Sequence, residues 1–155
     1  MSDSRAEIVA DKHEIETLQR LYAKATDKLG TASAETRDEG RKIYHRIFTP
    51  EVLVRTANTG AEEREAEGPD GWADVAEGAL EEYIGTQHLI GTQLAEVAGD
   101  EGELQSYLNA WHKRPDGSVY YFLGTYISKV KRFDEGWKIY DMTLRLDTSG
   151  DVQTS

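Results

Sequence analysis

The chain has 155 residues, inside the range of about 100 to 200 that one core can organise, so residues 1–155 read as a single domain. Hydrophobic residues make up 38% and charged residues 30%, enough apolar material for a folded interior and far from the composition of a disordered tail. With 18 Lys and Arg against 29 Asp and Glu the formal charge is −11, a surface that repels phosphate backbones and anionic headgroups and predicts neither nucleic acid nor membrane as partner. The absence of cysteine excludes disulfides, thiolate nucleophiles and thiolate-ligated metal.

The first residues, Met1 to Arg5, lack the apolar stretch of a signal peptide, and no 18-residue apolar run follows, which predicts a cytoplasmic location. The two ends, 1–10 and 148–155, are expected to be flexible. From about 11 to 29, Ile15, Leu18, Tyr22, Ala25 and Leu29 recur at helical spacing, and Gly30 breaks the pattern. A second helix is predicted over about 37–48 from Ile43, Tyr44, Ile47 and Phe48, with Pro50 just beyond it. Val52 and Val54 suggest a strand. Residues 58–69, rich in charge and bounded by Gly60 and Gly68-Pro69, read as an exposed loop.

Trp72, Val75, Ala76, Ala79, Leu80 and Tyr83 predict a third helix over about 70–83. The period then changes to two, giving four strands over about 86–98, 103–113, 118–131 and 136–147, joined by short Gly- and Asp-containing turns. Helices followed by hairpin-linked strands describe an α+β fold, a curved antiparallel sheet with three N-terminal helices on one face. The run Val119-Tyr120-Tyr121-Phe122-Leu123 is apolar on both parities, so the face without helices also needs a cover, and a homodimer or homotrimer is expected.

For acid–base chemistry the natural candidates are histidines, whose pKa lies near operating pH. His88 shares a strand face with Ile90 and Leu94, and His112 with Leu104, Leu108 and Ala110, so two imidazoles on neighbouring strands are expected to point toward one interior. His13 and His45 sit among charged helical neighbours and read as surface residues. No HExxH, no histidine pair at i, i+4 and no phosphate-cradling glycine pattern occurs, so neither metal nor cofactor is expected.

Tyr22 and Asp27 on the first helix, Phe48-Thr49-Pro50-Glu51-Val52, Thr86-Gln87-His88-Leu89-Ile90-Gly91 and Asp134-Glu135-Gly136-Trp137-Lys138-Ile139 together resemble the SnoaL-like group of the nuclear-transport-factor-2-like superfamily, over about residues 11–147. The resemblance implies an α+β cone with an interior pocket and metal-free, cofactor-free chemistry. The segment around His88 is similar to a strand of scytalone dehydratase that carries a catalytic histidine; His112 falls where a second is expected, and Asp27 matches an aspartate that orients the first. The chain departs from that enzyme at Thr56, Gly124 and Tyr126.

The resemblance thus implies a lyase, dehydratase-like, or an isomerase acting on a small hydrophobic or aromatic substrate. His88, Asp27 and His112 would be its catalytic residues, and among the aromatics of this chain Tyr22, Tyr44, Trp111 and Tyr126 are expected as pocket walls or hydroxyl donors that bind substrate. Two other readings stay open: an assembly subunit like the β subunit of a ring-hydroxylating oxygenase, and a carrier of a hydrophobic ligand. Helical geometry alone, at about 100° per residue, puts Asp27 off the apolar stripe and on the exposed side.

Overall fold

A computed structural model describes residues 4–153. Helix α1 (Arg5–Leu29) starts earlier than its apolar stripe, because its start is set by polar capping. The Glu7 N–H donates to Ser4 Oγ at 3.2 Å while the Ser4 N–H donates to the Glu7 carboxylate at 2.6 Å, satisfying two donors that a helix start leaves free. Ile15, Leu18, Tyr22, Ala25 and Leu29 are buried, as their spacing predicts. Helix α2 (Ala34–Ile47) packs on α1 at close range: a Cβ on Gly40 would stand 2.8 Å from the Ala25 carbonyl oxygen.

Strand β1 (Phe48–Ala57) continues directly from α2. The segment expected as loop holds a 3-10 turn (Gly60–Glu62) and a short strand, β2 (Glu65–Glu67), antiparallel to β1. Gly68, at φ +78°, turns the chain into helix α3 (Pro69–Leu80), where Pro69 fits a helix start that needs no N–H from it. Strands β3 (Gly85–Ala98), β4 (Glu101–Lys113), β5 (Val119–Phe133) and β6 (Gly136–Asp151) form a meander. Of the ends expected to be flexible, 5–10 are helical and 148–151 complete β6, while 1–3 and 154–155 lie outside the described residues.

The six strands lie in the order β2-β1-β6-β5-β4-β3. Every neighbouring pair is antiparallel except β1 and β6, which run parallel, so the sheet is mixed and open, and the three helices cover its inner face. Alternation in β4 sends Leu104, Ser106, Leu108, Ala110 and His112 inward. The outward parity of β3 and β4 leaves Leu89, Leu94, Tyr107 and Trp111 exposed, with Leu94 at 66% and Tyr107 at 60%; Leu94, expected on the face of His88, is turned outward by a register shift between Ile90 and Gln93. No helix among the described residues is long and apolar enough to cross a membrane.

Two aspartates of α1 tie that helix to the sheet. Near its start, buried Asp11 accepts from both Nη1 and Nη2 of Arg132, at 2.9 and 2.8 Å, and from Trp137 Nε1 at 3.0 Å. Near its end, Asp27 meets β3.

Candidate active site

β3 is the edge strand of the sheet, so its outward N–H groups lack a strand partner, and Asp27 supplies an acceptor. Asp27 Oδ1 accepts from the His88 N–H at 3.1 Å, from Thr86 Oγ1 at 3.2 Å and from His88 Nδ1 at 2.7 Å. The approach is close because α1 ends at glycine: a Cβ on Gly30 would stand 3.0 Å from Thr86 Oγ1. A side chain there would push the helix end, and Asp27 with it, away from the strand.

An ionised carboxylate accepting from Nδ1–H fixes the imidazole tautomer and leaves Nε2 as the basic nitrogen. Among the described residues His88 Nε2 has no hydrogen-bond partner, and His88 lines a cavity of about 570 Å³. Asp27 stands behind it and does not line the cavity. The side chain of His88 is 7% exposed, which strengthens its pairing with Asp27 by excluding water.

His112, paired across the strands with Thr86, adjoins this dyad with its ring centroid 5.6 Å from that of His88. Burial, followed by the nearby His88, pulls its pKa down to about 4. Its Nδ1 lies 3.3 Å from the Tyr120 carbonyl, an acceptor only, so that nitrogen carries the proton of the neutral ring. His112 is therefore a neutral imidazole at pH 7.

Buried Tyr22 and Tyr126 line the cavity beside Thr26, with Tyr44 packed behind them. Tyr22 OH accepts from Trp72 Nε1 at 2.9 Å, and its ring stacks on Tyr44 with centroids 5.3 Å apart. Thr26 Oγ1 donates to the Tyr22 carbonyl at 2.8 Å and lies 2.6 Å from Tyr44 OH, which holds both rings in place. Tyr126 packs edge-on against Tyr22. Burial raises the pKa of Tyr22 and raises those of Tyr44 and Tyr126 well above the usual phenol value, so these hydroxyls keep their protons.

Of the residues singled out in the sequence, Asp27, His88 and His112 come together, and Tyr22 and Tyr126 line the same cavity. Two expected substrate contacts do not. Trp111 alternates with Ala110 and His112 on β4 and so faces outward, on the far side of the sheet. Tyr44 is fully buried behind Tyr22 and has no face on the cavity.

His13 and His45 lie on the surface, the latter 3.0 Å from Asp70. Thr86, Thr26 and Trp72 were not singled out. Thr86 is legible from alternation, two residues before His88 on the same face, and Thr26 from its place one helical turn after Tyr22, while Trp72 meets Tyr22 only through a contact 50 residues away in sequence. Among the described residues no group of three or more His, Asp or Glu side chains is placed to share an ion.

An open mixed sheet over three helices, with an Asp–His pair beside a cavity lined by aromatic side chains, is the architecture of a nuclear-transport-factor-2-like cone. The profile of the SnoaL-like domain family matches residues 7–143, and the chain belongs to that family. No curated protein matches it in sequence.

Among solved structures, it is similar to hexachlorocyclohexane dehydrochlorinase LinA-type3 from Novosphingobium barchaimii LL02, with TM-score 0.78, 14% identity, and coverage of 98% of this chain and 97% of that one. It is also similar to a candidate scytalone dehydratase from Novosphingobium aromaticivorans DSM 12444, with TM-score 0.74, 20% identity, and coverage of 98% and 94%. A third is an NTF2-like protein with a cystatin-like fold from Novosphingobium aromaticivorans, with TM-score 0.74, 15% identity, and coverage of 92% and 86%. At such identities the likeness shows the fold.

Proposed function

We propose that this protein is a cofactor-independent lyase or isomerase that removes a proton from carbon in a small aromatic or polycyclic substrate. The observation that carries the reading is the 2.7 Å contact between Asp27 and His88 Nδ1, which leaves His88 Nε2 free at a cavity wall. Nε2 takes the proton, the C–H electron pair forms the new double bond, and in an elimination the leaving group departs with the electrons of its own bond. Asp27 stabilises the imidazolium that forms, and a positioned base of this kind contributes about 10² to 10⁴-fold.

Either His112 or a cavity tyrosine could deliver a proton to a leaving oxygen. A neutral His112 whose proton is directed at the Tyr120 carbonyl favours the tyrosines, whose hydroxyls stay protonated and donate to an oxygen on which charge develops. Two of the similar structures carry names of elimination enzymes, a dehydrochlorinase and a candidate dehydratase, which supports the reaction class.

The test is a screen of phenolic, polyketide and halogenated alicyclic compounds for loss of water or hydrogen halide, repeated with His88→Ala. Turnover that disappears in the variant is expected; turnover retained in it overturns the reading. If every compound, including those that bind, is recovered unchanged, the carrier reading replaces it.

The reading includes self-association through the outer sheet face. Leu89, Leu94, Tyr107 and Trp111 form an exposed apolar surface there that a second copy of the chain would cover. Sedimentation velocity at micromolar concentration should show an oligomer, and a single monomeric species would reject it.

A further inference from the structure

The sheet end that opens the cavity carries two arginines from separate loops. Arg64 follows β1 and the 3-10 turn, and Arg114 sits in the β4–β5 turn; both line the cavity. They flank its mouth, because the ends of β6 and β5 lie between their strands.

Arg114 is the better held. Its Nη1 donates to Asp151 Oδ1 at 2.7 Å and to Ser118 Oγ at 3.4 Å, and its guanidinium carbon lies 5.8 and 5.6 Å from the ring centroids of Tyr83 and Tyr120. Those contacts fix the group while leaving Nε and Nη2 without an acceptor among the described residues. That edge of a guanidinium is the fork that matches a carboxylate with two parallel hydrogen bonds.

A line of side chains then leads inward. Tyr83 and Tyr120 lie 4.9 and 5.8 Å from the His112 ring, which lies 5.6 Å from the His88 ring. Exposed Glu62, Glu81 and Glu82 also line the rim, so a negative group entering the mouth is repelled except beside the arginines. An aromatic body is favoured along the line of rings, with its charged end outermost.

We propose that Arg114 is the specificity residue of this site, binding the carboxylate of an aromatic acid at the cavity mouth while the ring system reaches inward toward His88. The proposal rests on the reading that the cavity takes substrate, but not on the dyad being catalytic.

The two are separated by measuring binding by calorimetry with 2-naphthoate and 2-naphthamide, which have nearly the same shape and differ in charge. Wild-type protein should bind the carboxylate about tenfold more tightly than the amide, the value of one charge-assisted pair at a half-buried rim. Arg114→Gln should abolish that preference and leave amide affinity unchanged; Arg114→Lys, which keeps the charge without the fork, should restore part of it and guards against a folding artefact. Asp27→Asn should keep the full preference, so loss of the chemistry reading leaves this one standing. Equal binding of both probes to wild-type protein, binding of neither, or a preference that survives Arg114→Gln or disappears with Arg64→Gln, overturns the proposal.

Discussion

Helix α1 holds two aspartates that face the sheet, and their surroundings differ in one respect that matters. Asp11 is saturated by a guanidinium and an indole, groups with no proton to exchange at neutral pH, and the contact closes the helix onto β5 and the start of β6. Asp27 is bonded to an imidazole that lines a cavity and whose second nitrogen has no hydrogen-bond partner among the described residues. The same side chain on the same helix is thus a fastening at one end and, in the proposed reading, the support of a base at the other. The partner's chemistry and the presence of open space decide which, not the burial of the carboxylate.

The largest test of this contrast is at the cavity end. Asp27→Asn and His88→Ala should each lower turnover by about 10³-fold or more while the melting temperature moves by only about a few degrees, read by steady-state kinetics and calorimetry. Asn keeps the shape and removes the charge that supports an imidazolium. The reverse pattern is expected at the other end: Asp11→Ala should cost about 2 to 3 kcal/mol of stability in urea unfolding, with turnover per folded molecule unchanged. A variant of Asp11 that lost turnover at full stability would erase the distinction.

A smaller effect concerns pH. His112 titrates near 4 when folded, against 6.5 for a free imidazole, so between these values the unfolded chain holds more protons and stability falls as pH falls. Above 6.5 the contribution is constant. His112→Gln should flatten the stability profile across that window relative to the parent chain, as followed by thermal melts from pH 4 to 7. The smallest expected change in chemistry is at Trp111: Trp111→Ala should leave turnover within about twofold, because the residue faces away from the cavity, and should instead weaken self-association in sedimentation.

Much of this was legible in the chain. The apolar spacing of α1 and the alternation of β3 to β6 locate the elements because burial of one face imposes a period of 3.6 or 2. That same alternation puts His88 and His112 inward. It also gives the parity that sends Trp111 outward, against its place among the expected pocket aromatics. The start of α1 was less visible, since a Ser4–Glu7 capping box leaves no trace in an apolar pattern. Asp27 shows the limit most clearly: helical geometry alone makes it exposed, and only its likeness to a family aspartate suggested otherwise.

What the sequence by itself determined is the three helices, the five longer strands and the inward face of β4, because these depend on neighbours a few positions apart. What the tertiary structure decided is how distant segments meet. The parallel pairing of β1 with β6, the approach of Gly30 to Thr86 that carries Asp27 to His88, and the row from Arg114 to His112 join residues whose separation in sequence leaves no local pattern. The site is built from such meetings, so its residue types could be read in advance while its geometry waited on the packing of a helix end against an edge strand.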